Sequence, residues 1–136
     1  MTLAFESFGS GISSTNLTEC LLLVFAAGNS GPGNNTVSSP STAKNGLSVG
    51  ATLRSTSAGS MASFSSCGWT DDQRYKPDLT VPGSSIVSAA NDLNAGNANC
   101  GTTSMSGTSM ATPGAAGFAA LVRQYYADGF YPSGTA

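Results

Sequence analysis

Gly107-Thr108-Ser109-Met110-Ala111-Thr112-Pro113 is the stretch on which the reading of this chain turns. From Thr108 to about Ala127 the pattern is helical: Met110, Gly114, Gly117, Phe118, Leu121, Val122 and Tyr125 recur at i, i+3 and i+4 spacing. That spacing predicts an apolar helix face made of those residues, ended by Asp128-Gly129. Pro113 is expected within the first turn or so, where a missing N–H costs a helix least. Gly114 and Gly117 weaken a helix, which points to close packing. Ser109 then sits near the helix N-terminus, where backbone N–H groups lack partners and the helix dipole favours negative charge. A tetrahedral acyl-transfer intermediate carries such a charge on its oxygen. Gly107 leaves room for a substrate backbone, and Thr108 borders the same place. A Gly-Thr-Ser triplet alone favours a plain N-cap; the seven-residue string with Pro113 is far more specific.

Upstream, Leu21-Leu22-Leu23-Val24-Phe25-Ala26-Ala27 is a continuous apolar run, read with Cys20 as a strand over 20–27 buried on both faces. Gly28-Asn29-Ser30-Gly31-Pro32 follows as a loop. Ligands gather at the carboxyl ends of strands in open α/β sheets. Asn29 stands at such an end, and its amide can donate to an oxyanion. Further strands are predicted at Leu47–Thr52, Met61–Ser65, Leu79–Gly83 and Ile86–Ala90. Residues 1–19 are read as loop or a short helix, 91–107 as a long loop, and Phe130–Ala136 as a tail.

Taken in order, these strings resemble the subtilisin-like serine proteases, the subtilases. Between them, Ser39-Pro40-Ser41-Thr42-Ala43-Lys44-Asn45-Gly46-Leu47-Ser48-Val49-Gly50-Ala51 is similar to the stretch that family places after its oxyanion-hole asparagine. Phe64-Ser65-Ser66 and Lys76-Pro77-Asp78-Leu79-Thr80-Val81-Pro82-Gly83 match a further block. The resemblance runs from about Leu21 to Asp128 and leans towards the large alkaline, oxidatively stable branch. It implies an α/β fold, a partial three-layer subtilisin-like domain with a mostly parallel sheet and a central helix starting near Ser109. It also implies Ser109 as nucleophile and Asn29 as oxyanion donor, with the Ser109 N–H as second donor. Ala26, Ala27 and Gly28 would line one wall of the pocket for the side chain before the scissile bond. Gly107 and Thr108 would complete the substrate-binding set. Calcium and secretion are implied by the family alone.

Departures from the family pattern matter as much. The 136 residues contain no histidine. The family's catalytic Asp and His precede its asparagine, yet the only acids before Asn29 are Glu6 and Glu19, neither in a family motif. Cys67-Gly68-Trp69 replaces the usual Arg-Gly-Pro. Residues 1–19 therefore read as a divergent N-terminal segment, and 20–136 as a truncated catalytic-domain fragment. Without a base, a serine hydroxyl is a weak nucleophile. In subtilisin itself, about 10³–10⁴-fold catalysis over water survives loss of the triad, a value belonging to that enzyme. The expectation is weak hydrolysis of activated esters. Two alternatives stand beside it: one half of a split protease whose partner chain carries Asp and His, and a non-catalytic fragment. Lys44 and Lys76, the only lysines, are expected to be solvated or structural rather than a substitute base.

Composition narrows the remaining classes. Only 9% of residues are charged and the net charge is −2, so no electrostatic footprint for nucleic acid exists. No apolar stretch is long enough to span a bilayer, and no secretory signal is legible at the N-terminus. The expected partner is a peptide or ester substrate. Self-association is also expected, because a truncated parallel sheet exposes an edge and a face. Three cysteines, Cys20, Cys67 and Cys100, leave at least one thiol unpaired in a monomer, and a Cys67–Cys100 bridge stays open. Asp71, Asp72, Asp78 and Asp92 are available for calcium, but without Ca²⁺-loop spacing.

Overall fold

The computed structural model describes residues 2–5, 21–91 and 100–129. The apolar run becomes β2 (Leu22–Ala26), preceded by β1 (Thr2–Phe5) and followed by β3 (Gly46–Thr52). Two short strands come next, β4 (Gly68–Trp69) and β5 (Tyr75–Lys76), then β6 (Leu79–Pro82). β7 (Ile86–Ala89) and β8 (Thr102–Met105) precede one long helix, α1 (Thr108–Ala127). The main sheet has the order β1-β2-β3-β6. β2, β3 and β6 are parallel, with Val24 opposite Leu47 and Val49 opposite Leu79. β1 joins β2 antiparallel. β4–β5 and β7–β8 form separate antiparallel pairs.

The core lies between this sheet and α1. Val24, Val49 and Ala51 from the strands meet Ala111, Ala115 and Ala116 from the helix, with Leu47, Leu53, Phe64 and Val81 around them. Alanines on the helix let it lie close against the sheet. The expected parallel α/β architecture with its helix at Ser109 is present. Among the described residues no helix is long and apolar enough to cross a membrane.

Several local expectations are corrected. Residues 2–5, expected as loop or helix, form a strand because β2 offers them a free edge. Residues 61–65 form no strand; only Met61 makes an isolated bridge, to Thr52. Thr102–Met105, inside the expected long loop, pairs with β7, whose backbone supplies the bonds that its polar side chains do not advertise. Pro113 is the sixth helical residue, not within the first turn, so it has no N–H to give the Ser109 carbonyl. The helix face is also rotated from the expected one. Thr108, Ala111, Thr112, Ala115 and Ala116 are buried, whereas Phe118, Leu121, Val122 and Tyr125 are exposed. Cys67 and Cys100 are both free thiols. Cys20, Glu6, Glu19 and residues 130–136 lie outside the described residues.

Candidate active site

Two chain segments far apart in sequence meet at the carboxyl end of the parallel strands. The first leaves β2 through Ala27, whose N–H donates to the Val49 carbonyl at 2.9 Å. Gly28 then turns with φ of +111°, a conformation open to glycine and strained for other residues. The turn carries Asn29 out to solvent. The second segment is the start of α1, docked by a 2.9 Å bond from the Gly107 N–H to the Gly83 carbonyl, just past β6.

Thr108 links the two. Its N–H and its Oγ1 both donate to Asn29 Oδ1, at 2.9 and 3.0 Å. Its Oγ1 accepts from the Gly28 N–H at 3.2 Å. The threonine is fully buried, so water does not compete for these bonds from its side. With Oδ1 turned towards Thr108, the Nδ2 amino group of Asn29 points to the other side. There a Cβ built on Gly107 would stand 3.3 Å from it, closer than nearly all side chains tolerate. Position 107 therefore keeps the backbone open beside the Asn29 amino group.

Ser109 is the second residue of α1 and half-buried. Among the described residues nothing accepts from its N–H, as the geometry of a helix start dictates. Thr112 Oγ1 returns a 2.8 Å bond to the Thr108 carbonyl and steadies the first turn. Of the residues singled out in the sequence, Gly28, Asn29, Gly107 and Thr108 are brought together, with Ser109 next in the chain. Ala26 is half-buried at the end of β2, and Ala27 is buried. Phe64 to Ser66, which lie beneath the loop, are marked in the sequence as part of a family-like block but not as site residues.

The lysines and acids near the sheet are structural. Lys76 Nζ is buried and bonds Asp78 Oδ2 at 2.6 Å and the Gly46 carbonyl at 3.2 Å. Lys44 is exposed and lies 3.5 Å from Asp72. Hydrogen bonds from Arg74 and Thr70 hold the Asp72 carboxyl well below the usual carboxylate range. Asp72 and Asp78 are thus engaged by cations, and Asp92 lies outside the described residues. Among the described residues no three acidic, cysteine or histidine side chains converge.

Comparison with known proteins bears on the same segments. The subtilase (Peptidase S8) family matches residues 6–134. The chain is 40% identical over 119 residues to serine protease AprX of Bacillus subtilis (strain 168), covering 79% of this chain and 27% of that protein. It is 46% identical over 84 residues to serine protease/ABC transporter B family protein tagB of Dictyostelium discoideum, covering 54% of this chain and 4% of that one. Among solved structures, sphericase superposes with a TM-score of 0.58 at 33% identity, over 73% of this chain and 32% of its own. The chain spans less than a third of the length of each of these relatives. With the match running over nearly all of its residues, the chain belongs to the subtilase family of serine proteases.

Proposed function

We propose that this chain carries the nucleophile and oxyanion hole of a subtilase catalytic site. In this reading Ser109 Oγ attacks an acyl carbon. The developing oxyanion accepts from Asn29 Nδ2 and from the Ser109 N–H. Ala26, Gly28 and Gly107 border the acyl group, and the buried Ala27 and Thr108 lie beneath them. For an activated ester, the Oγ–C bond forms, the ester C–O bond breaks, and the serine proton passes to water. Water then hydrolyses the acyl-enzyme and restores the hydroxyl. A peptide bond demands more, because its amine must leave protonated. No imidazole is present in these 136 residues to do this. Weak esterase activity is therefore the reaction assigned to the chain by itself.

The observation that carries the reading is the link from Thr108 to Gly28 and Asn29. It turns the Asn29 carbonyl oxygen away and leaves its amino group as a donor beside the helix start that bears Ser109. The test is turnover of p-nitrophenyl esters beside a Ser109→Ala control. Turnover lost in the control supports the reading; equal rates overturn it and favour a non-catalytic fragment. In subtilisin, removing one oxyanion-hole donor lowers turnover about 10²–10³-fold, a value measured on that enzyme. Asn29→Ala is expected to act in the same direction here.

A second reading concerns peptide substrates. The relatives are at least three times longer than the matched region, and this sequence holds no histidine. We infer that endopeptidase activity requires a complementing polypeptide that supplies the Asp and His. Mixing with a polypeptide spanning the remainder of a subtilase domain should then produce casein hydrolysis that neither partner shows alone. No gain on mixing, with binding demonstrated, counts against it. Secretion belongs to the same proposal, by family membership.

A further inference from the structure

The loop that presents Asn29 is held from below by one short segment. The Gly31 N–H donates to the Phe64 carbonyl at 2.9 Å. The Ser66 N–H donates to the Gly28 carbonyl at 2.9 Å. Ser66 Oγ accepts from the Ser30 N–H at 3.0 Å. Both neighbours of Asn29 in the chain are thus bonded to a single residue, once through its backbone and once through its side chain. Ser66 is completely buried. Its hydroxyl fits closely under the turn, since a Cβ built on Gly28 would come within 2.9 Å of it. From above, Thr108 holds the side-chain oxygen of Asn29 and the backbone N–H of Gly28. Past Asn29 the loop takes no bond from Thr108, and the peptide that leads into Ser30 is held by the Ser66 hydroxyl. Neighbouring Ser65 makes an instructive contrast. Its Oγ is also buried and also accepts a backbone N–H, but from Ala51 in β3, with no bond from its hydroxyl to the loop.

We propose that Ser66 is a positioning residue for Asn29, its hydroxyl fixing the peptide between Asn29 and Ser30 and so the direction in which Asn29 Nδ2 donates. The inference rests on the hydrolase reading above and deepens it. A hydrogen bond weakens steeply as its angle closes, so a donor that must meet an oxyanion cannot wander. Small misplacements of reacting groups cost rate rather than substrate binding when the donor acts only on the transition state. Loss of the Ser66 hydroxyl frees the Ser30 N–H and lets the loop rotate around the Asn29 position. Ser66 touches no substrate in this scheme; it acts through Asn29.

The test compares Ser66→Ala with Ser65→Ala, each of which removes one buried hydroxyl that accepts one backbone N–H. Both variants should lose comparable thermal stability. Only Ser66→Ala should accelerate exchange of the Ser30 amide, by about tenfold or more, and shift the Asn29 side-chain amide resonances in ¹⁵N NMR spectra. In ester hydrolysis, Ser66→Ala should lower kcat about tenfold with KM unchanged. Adding Ser66→Ala to Asn29→Ala should then cost nothing further. Ser66→Cys keeps the shape with a weaker acceptor and should fall between; it also serves if the alanine variant does not fold. Asn29 resonances unmoved in the Ser66 variants, or moved equally by Ser65→Ala, overturn the proposal. So does a kcat loss of equal size with and without Asn29. If the unmodified chain shows no Ser109-dependent turnover, the hydrolase reading fails by itself, and the NMR comparison still decides what Ser66 does.

Discussion

Thr108 does more than its place before Ser109 suggests. Its hydroxyl donates to Asn29 Oδ1 and accepts from the Gly28 N–H, so one buried oxygen ties two residues of the loop to the helix. Thr108→Val keeps the shape and removes that oxygen. The Gly28 N–H then loses its acceptor, which costs about 1–3 kcal/mol for a buried donor. Denaturant unfolding should read that loss, and ester turnover should fall with it, whereas Thr108→Ser should retain both. Asp72 offers a cleaner electrostatic test, away from the site. The Arg74 Nε–H reaches both carboxylate oxygens, at 3.0 and 2.9 Å, and the Thr70 hydroxyl adds a bond of 2.6 Å. These bonds favour the charged form and depress the Asp72 pKa. A depressed value stabilises the fold above the unfolded-state pKa of about 3.9, and that contribution is lost as pH falls below it. The carboxylate is largely exposed, so the effect on stability is small and the titration itself is the readout. NMR should find Asp72 titrating below ordinary aspartates, and Arg74→Gln should move its midpoint upward; an unmoved midpoint opposes this account.

At the scale of elements, Asp78 sets the register of the sheet. Its N–H donates to the Ser48 carbonyl and its Oδ2 accepts from the Ser48 N–H, at 2.9 and 2.7 Å, so β6 is fastened to β3 just before its first residue. Lys76 closes the same corner from β5. The two partners are unequal, because the lysine is buried and the aspartate is partly exposed. Asp78→Ala leaves a buried ammonium with one carbonyl and should cost about 3–5 kcal/mol. Lys76→Met leaves an aspartate that still has the Ser48 N–H and water, and should cost roughly 1–2 kcal/mol. Equal losses in denaturant unfolding would contradict this asymmetry. The strands around this corner were legible because β2, β3 and β6 are apolar or β-branched between turn residues. β8 was not, because Thr102–Met105 shares the polar composition of a loop and becomes a strand only through β7. The helix was legible in extent and misleading in orientation. Its large apolar residues dominate the periodicity, yet the sheet admits only Ala111, Ala115, Ala116 and the two threonines. Asn29 and Ser109 stood out as candidates because they stand in strings; Ser66 stands in one too, but its proposed role was not legible there, because it depends on a fold contact 36 residues away.

At the scale of the molecule, that mismatch in the helix has a consequence. The first half of α1 lies on the sheet through small side chains, and the second half carries Phe118, Leu121 and Val122 into solvent, each more than half exposed. Between this half and the strands lies an apolar groove of about 590 Å³, lined by Leu22, Leu47, Leu79, Val81, Phe118 and Val122 among others. The self-association expected from the sequence would use this face to bind a second copy of the chain. Burying each large side chain is worth about 1.5–3 kcal/mol, so three of them on each copy supply roughly 9–18 kcal/mol at most. Association itself costs about 4–15 kcal/mol, which leaves a reversible dimer rather than a permanent one. The low net charge of −2 offers little repulsion against it. Sedimentation velocity should show a concentration-dependent shift towards dimer in the range of about 10 µM to 1 mM, the span in which such a margin falls. Phe118→Ser with Leu121→Ser should abolish that shift without unfolding the chain, because neither side chain belongs to the buried core. A monomer throughout that range would mean that the groove is not closed by a second copy. The polypeptide that supplies Asp and His would then be the occupant to test, and adding it should protect Phe118 and Val122 from solvent.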